Sequence, residues 1–400
     1  MNLLLIFLLF LLWRSFDFLI IFFSQKIIPY LGFFPYSDQL PRFHLPTWVS
    51  ALANFDGLHY ISIARSGYSQ YEQAFFPLYP LLIKIFTPLF SNNQLLTGLI
   101  ISNVSFLIGL VVFYKYLCLI SSNSIRFNPI LSIVFLLAFP TSFFFGAVYT
   151  EGLFFLLLIL TLYFLKKKKY LLVVVFAFLT ATTRIVGVFL IIPIFFHWFS
   201  SFPRKRESKR SWIPASAGMT PGMTLCLLAP ILGLLTYCFY LWQTTGDPFF
   251  FFSSQPAFGA NRSTHLISFL QVYWRYFKIF FTANYDFKYF VAIIEFSFFT
   301  FVFVVLILDL IKLACASKNF KLKISNYDLI GLNLFSLINV LLPTLTGTFL
   351  SIPRFSLMSL SVFIYLAQIK NVFIKYLILI IFFILHILLL GYFTQGYFIS

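Results

Sequence analysis

The sequence predicts an all-α polytopic membrane protein of about 10–11 transmembrane helices, and three observations carry that reading. Charged residues make up 10% of the 400-residue chain, hydrophobic residues 61%, and mean hydropathy is +0.95; a soluble domain carries roughly 25% charged residues. Apolar runs of about 20 residues, enough to cross ~30 Å of hydrocarbon as a helix, recur along the whole length. The short alternating segments of a membrane β-barrel are absent, and an open sheet cannot satisfy its backbone in lipid.

The spans read as residues 2–23, 94–119, 129–149, 151–165, 170–199, 225–243, 287–311, 328–350, 356–369 and 375–394. The first lacks a basic leader region and a small-residue cleavage site, so it reads as a retained helix. The run 170–199 is too long for one crossing and is expected to break near "TTRIVG"; counted as two, it brings every lysine-rich turn to one side. The net charge of +17 then has a simple origin. Lys166 to Lys169, Arg204 to Arg210, Lys312 to Lys323, Lys370 and Lys375 sit in short turns between apolar runs, as cytoplasmic loops do, and not in a stripe that would follow nucleic acid.

Residues 24–75 and 246–286 and the segment "IPRFS" fall on the opposite, extracytoplasmic side of an inner (plasma) membrane. The long first extracytoplasmic loop, 24–75, carries spaced aromatics that suit short helices lying in the interface. The chain forms one transmembrane domain over 1–400, interrupted at 201–224 by the basic, polar stretch "SFPRKRESKRSWIPASAGMTPGMT". That stretch resembles translated palindromic repeats of bacterial genomes; it is expected to be a poorly ordered cytoplasmic insertion whose removal leaves activity largely intact. Cys118, Cys226, Cys238 and Cys315 lie in or beside apolar segments with no paired spacing and read as buried thiols.

Chemistry concentrates in "NFDGLHYISIARSGYSQYEQAFFPLYP", residues 54–80. Asp56 has two readings, a solvated loop carboxylate or a general base. The two prolines of "FFPLYP" break a helix pattern and leave carbonyls unpaired at membrane depth, a state tolerated against protein or beside a wet cavity, so the segment is expected to wall a pocket. Glu151 faces either a cavity or the surface, because an ionised carboxylate in lipid costs about 2.5 kcal/mol or more. Arg14 and Asp17, three apart, neutralise each other on one helix face. His197 and His386 read as satisfied helix residues. No metal-ligand cluster and no Gly-rich phosphate loop stands in the sequence, so neither metal, nor other cofactor, nor nucleotide-sugar donor is expected.

The chain resembles the PIG-V-like mannosyltransferases, a family with the GT-C fold. The likeness rests on Phe55, Asp56, Gly57, His59 and Tyr60, then Gly67, Tyr68, Glu72 and the run Ala74 to Pro80. It continues through "YTEGLFF" with Tyr149 and Glu151, "ATTRIVGV" with Arg184 and Gly187, "GDPFFFFSSQ" with Asp247 and Gln255, and "PRFSL" with Arg354. After Gln255 the family shows a Trp and then a basic residue, where this chain has Phe258 and Arg262. The resemblance implies inverting transfer of mannose from a polyprenyl-phosphate donor to a hydroxyl of a lipid- or protein-linked acceptor, outside the cytoplasm.

Such a displacement needs one carboxylate to take the acceptor proton, while the phosphate leaves as an anion and needs no acid. Asp56 is the expected base, with Glu72 second. Substrate contacts are expected from His59, Tyr60, Tyr79, Glu151, Arg184, Asp247, Gln255 and Arg354. The arginines suit a phosphate, although arginine at a helix end also serves as a snorkelling anchor, and His59 suits either acceptor contact or loop structure. The competing class is a transporter or lipid flippase, for which related halves with paired broken helices are expected and not seen in the sequence.

Overall fold

A computed structural model describes residues 2–32, 34–121, 127–201, 221–258, 262–263, 265–318 and 324–399, and every regular element among them is helical. In chain order the α-helices are α1 (Asn2–Ile27), α2 (Thr47–Ser50), α3 (Asp56–Ser66), α4 (Leu78–Phe86), α5 (Gln94–Ile120), α6 (Pro129–Ala138), α7 (Glu151–Lys166), α8 (Tyr170–Thr183) and α9 (Ile191–Ser201). They continue as α10 (Pro221–Thr245), α11 (Phe250–Ser253), α12 (Phe269–Thr282), α13 (Phe287–Lys318), α14 (Ile324–Thr344), α15 (Ile352–Phe355), α16 (Leu360–Leu366) and α17 (Val372–Thr394). Six of the described helices, α1, α5, α10, α13, α14 and α17, are long and apolar enough to cross a membrane by length and composition. The apolar stretches 78–89, 129–138, 170–183 and 185–200 are shorter. Most of the 201–224 insertion lies outside the described residues, and α10 has already begun at Pro221.

Local chemistry sets the ends. Asn93, Asn128 and Asn371 each cap the following helix by accepting a backbone N–H through the side chain. The run expected as one span over 129–149 stops at Ala138, because Pro140 pushes Phe139 out of the helical region to ψ 135°. A 3-10 turn, Ser142–Gly146, follows before α7 starts. The break expected near "TTRIVG" falls at Arg184, whose backbone is extended at φ −156° and ψ 145°. The segments 328–350 and 356–369 are likewise divided, at Thr344 and at Ser359.

Lipid offers no hydrophobic drive for helix association, so close approach depends on small residues. A Cβ at Gly152 would lie 2.5 Å from Ser102 O, and one at Gly233 would lie 2.5 Å from Phe178 O, so glycine lets α7 meet α5 and α10 meet α8. Helix contacts close into a ring running α17, α1, α5, α7, α9, α14, α13, α16, α6 and back to α17, with α8 and α10 packed alongside α7 and α9.

Several ionisable groups inside the bundle are paired. Arg14 Nη1 lies 3.3 Å from Asp17 Oδ2 as expected, and His386 Nε2 meets Asp17 Oδ1 at 2.8 Å. His197 Nδ1 and Lys166 Nζ both reach Asp328. Each pairing offsets a burial cost on the order of 3 kcal/mol per ion at the bilayer centre. The thiols divide: Cys226 and Cys238 are buried as expected, whereas Cys118 and Cys315 are exposed on outward helix faces.

The bundle has two chemically distinct ends. α7 runs from Glu151 to Lys166, α8 starts beside Lys169 and stops before Arg184, and α17 starts between Lys370 and Lys375. A 16-residue helix is about 24 Å long. The lysine turns therefore gather at one end, and Glu151 and Arg184 stand at the other.

Candidate active site

At the end opposite the lysine turns, the bundle opens into a cavity of about 810 Å³. Asp56, His59, Glu72, Glu151, Arg184, Arg262 and Arg354 all line it.

Asp56 is aimed by its neighbours. Phe55, immediately before it, holds φ 60° and ψ −116°, a backbone region hostile to a side chain with a Cβ. Its ring is fixed against Phe34, Phe393 and Phe398 at centroid distances of 4.7, 5.8 and 5.1 Å. Asn54 holds the approach, donating to Phe393 O at 3.0 Å while its own carbonyl accepts from Tyr149 Oη at 2.7 Å. A Cβ at Gly57 would sit 3.2 Å from Val148 O. The chain thus turns sharply and starts α3 with a carboxylate in its first turn, where the helix dipole favours an anion. Residues i, i+3 and i+4 share a helix face, so Asp56, His59 and Tyr60 point together into the cavity.

Tyr36, Phe55, Tyr71 and Ser351 line the cavity and all have positive φ without being glycine. Such conformations cost about 1–3 kcal/mol each and cluster at functional sites.

Arg354 comes from the other end of the chain. Ser351 at φ 67° turns the backbone into α15, and Thr141 Oγ1 fixes it by donating to Pro353 O at 2.7 Å. Arg354 Nη1 donates to Asp56 Oδ2 at 2.6 Å, and Nε lies 3.4 Å from Glu151 Oε1. The same Glu151 Oε1 accepts from Arg184 Nη1 at 2.7 Å, and Arg262 Nη1 donates to Gln255 Oε1 at 2.7 Å. Among the described residues each of the three guanidiniums makes a single hydrogen bond, and all three line the cavity; Arg354 Nε is buried against Glu151, while the remaining N–H donors have no protein partner. Asp56 Oδ1 has no hydrogen-bond partner among the described residues, and the Asp56 side chain keeps 22% exposure.

Burial pushes the Asp56 carboxyl up, but Arg354, with His59 and Arg262, outweighs it and holds the group below the usual carboxylate range. Burial lowers Arg354, and Asp56 and Glu151 more than restore it, so it stays a fixed cation. Burial lowers Arg262, with Asp56 opposing. The Tyr60 hydroxyl is pushed up by burial and by Asp56 and Glu151, so it stays protonated as a donor.

The sequence-expected residues separate on this geometry. Asp56, His59, Tyr60, Glu151, Arg184, Gln255 and Arg354 meet in the cavity. Glu72 also lines it, but as a partner and not as a free base: Oε1 meets His59 Nδ1 at 3.1 Å and Oε2 accepts from Ser69 N at 3.0 Å. Tyr79 stands outside the lining, fully buried, its hydroxyl bonded to Gly98 O at 3.0 Å and Ser102 Oγ at 2.8 Å. Asp247 also stands outside, closing its own turn by accepting from Phe249 N at 2.8 Å and Ser253 Oγ at 3.3 Å. Two carbonyls at "AFFPLYP", Gln73 O and Phe75 O, are paired by tyrosine hydroxyls, which corrects in part the expectation from its prolines. Tyr68 donates to Phe75 O at 2.8 Å and Tyr237 donates to Gln73 O at 2.7 Å. The segment does wall the pocket, through Ala74, Phe75 and Phe76.

Arg262 was outside the expected contact set and belongs to the lining, as does Phe258, whose ring meets His59 at 5.2 Å. Their spacing after Gln255 was the available signal. Tyr36 and Phe398 come from segments without a motif, and only the fold brings them in. Compared with protein-family profiles and with curated proteins, the chain matches none.

Proposed function

We propose that the protein is an integral membrane glycosyltransferase that moves a sugar, mannose in the family it resembles, from a polyprenyl-phosphate donor to a hydroxyl of a lipid- or protein-linked acceptor, with inversion. In this reading the lysine-rich turns face the cytoplasm and the cavity opens on the other side of the plasma membrane. The observation that carries it is the 2.6 Å contact of Arg354 Nη1 with Asp56 Oδ2 inside a cavity that also holds Arg184 and Arg262. A base and a set of anion-binding cations share one space.

Each group has a role in that chemistry. The donor phosphodiester docks on the open N–H groups of Arg184, Arg262 and Arg354, whose planar forks match phosphate oxygens. The acceptor hydroxyl hydrogen-bonds to Asp56 Oδ1. As its oxygen attacks the anomeric carbon, the proton moves to Asp56, and the bond from that carbon to the phosphate breaks with its electron pair staying on the phosphate. Charge on the leaving phosphate grows in the transition state, and each preorganised donor there is worth on the order of 3 kcal/mol. The base contributes roughly 10²–10⁴ in rate. Phosphate binding also relieves the clamp on the base: once Arg354 turns part of its charge to the phosphate, Asp56 regains proton affinity.

The test supplies polyprenyl-phosphate [³H]mannose to membranes holding the wild-type protein or Asp56→Asn. Labelled glycolipid or glycoprotein formed by the wild type and lost in the variant is the expected result. Lipid movement across vesicles with no transfer, equal in both proteins, would instead make the chain a flippase or transporter and end the enzyme reading.

A further inference from the structure

The proton removed from the acceptor needs a destination, and Asp56 is a poor final one while Arg354 stands at 2.6 Å. One step along the same face of α3 lies His59, whose Nδ1 meets Glu72 Oε1 at 3.1 Å. A carboxylate accepts and does not donate, and Glu72 already accepts from Ser69 N at 3.0 Å through its other oxygen. Nδ1 therefore carries the ring proton, and Nε2 offers its lone pair. Among the described residues Nε2 has no hydrogen-bond partner, although His59 lines the cavity. The ring cannot swing away: it stacks on Phe75 at 5.1 Å and is met edge-on by Tyr36 at 5.1 Å and Phe258 at 5.2 Å. Glu72 is held in turn, its side chain 3% exposed.

We propose that His59 Nε2 is the terminal acceptor of the proton released in glycosyl transfer, and that Glu72 is the positioning residue that fixes the receptive tautomer and balances the imidazolium. The inference rests on the transferase reading above and assigns Glu72 a different part from that of a second base. In balance, the acceptor O–H bond breaks, its oxygen bonds to the anomeric carbon, and the phosphate leaves with the electron pair of the broken C–O bond. The proton passes through Asp56 to His59 Nε2, and water takes it before the next cycle. The charged and titratable groups around the ring are Glu72, Asp56, Tyr36, Arg262 and Arg354.

Two readouts on the full-length protein in nanodiscs test this. In ¹⁵N-histidine NMR, with His59 assigned among the five histidines by its disappearance in His59→Gln, the wild type should show a protonated Nδ1. Glu72→Gln should shift the ring toward the Nε2-protonated form, and Glu72→Asp should restore the wild-type pattern in part. In pH profiles of transfer, Glu72→Gln should change the acid limb of kcat and lower kcat about tenfold. His59→Gln should abolish that limb and lower kcat roughly 10²-fold, with the donor KM kept. An unchanged tautomer in Glu72→Gln, or an intact acid limb in His59→Gln, overturns the proposal. If the wild type transfers no sugar, the transferase reading and the proton-acceptor role fall together, while the tautomer result still decides the Glu72 contact by itself.

Discussion

Arg354 and Asp56, 298 positions apart, meet at 2.6 Å with Arg354 8% exposed. The contact ties the α14–α16 break to the first turn of α3. Asp56→Asn should lower transfer by roughly 10²–10⁴-fold. Arg354→Lys should lower kcat on the order of 10²-fold, since an ammonium cannot hold the forked geometry toward a phosphate. Initial rates with labelled donor check both. Near-normal turnover in Arg354→Lys would remove the guanidinium from the transition state.

The pair also fixes a pH signature. Arg354 draws the folded Asp56 carboxyl below its ordinary value, so its contribution to stability is full above the unfolded value of about 3.9 and is lost only as pH falls through the lowered folded value. In Arg354→Gln, burial loses its main counterweight and the carboxyl rises. Folding then binds a proton more tightly than unfolding does, and stability should decline as pH climbs from about 4 through the raised value. From about pH 4 to pH 8 in nanodiscs, this group should therefore leave the wild-type melting temperature level while that of Arg354→Gln declines. Parallel curves would deny the coupling.

How far the site was legible in the sequence follows from what each residue depends on. The break at Arg184 was readable because a long apolar run with an internal arginine cannot cross once, and the wall built by Ala74 to Phe76 was readable from its prolines. The carbonyl pairing by Tyr68 and Tyr237 was not, because Tyr237 reaches Gln73 O across 164 positions. Tyr79 lies three residues past Phe76, the last wall residue, and the start of α4 at Leu78 turns it into the α4–α5 contact. Asp247 looked like a ligand and proved to be a turn residue, since an aspartate two before Phe249 satisfies its own backbone. Pro140 carried the signal that residues 129–149 were not one helix.

Phe55 supplies a test of stored strain. Phe55→Gly removes a backbone cost of about 1–3 kcal/mol and also the ring contacts with Phe34, Phe393 and Phe398, whose loss costs about 3–5 kcal/mol. The second effect is the larger, and the difference leaves a net loss of about 0–4 kcal/mol. Transfer should fall further than stability alone explains, because the freed backbone no longer aims Asp56. Thermal melts with rates measured well below the midpoint separate the two; full activity in folded Phe55→Gly would show that the strained turn is dispensable.

Gly152 follows Glu151, and both lie where α7 presses on α5. A Cβ there would stand 2.5 Å from Ser102 O and 2.7 Å from Phe145 O, both backbone atoms that cannot rotate aside. Gly109 sits in the same helix pair, but the nearest atoms a Cβ there would meet belong to the Phe155 side chain, 2.7 Å from Cδ1, with backbone no nearer than Leu156 Cα at 3.4 Å. Gly152→Ala should therefore destabilise by about 1–3 kcal/mol or more, and Gly109→Ala by less. The displaced turn carries Glu151 with it, which pulls Oε1 off Arg184, now 2.7 Å away, and off Arg354 at 3.4 Å. Two arginines lose their shared anchor, so Gly152→Ala should raise the donor KM while Gly109→Ala leaves it within twofold. Matched melts and donor titrations of the two variants measure this. Equal donor KM values would mean that Glu151 does not set where the arginines stand.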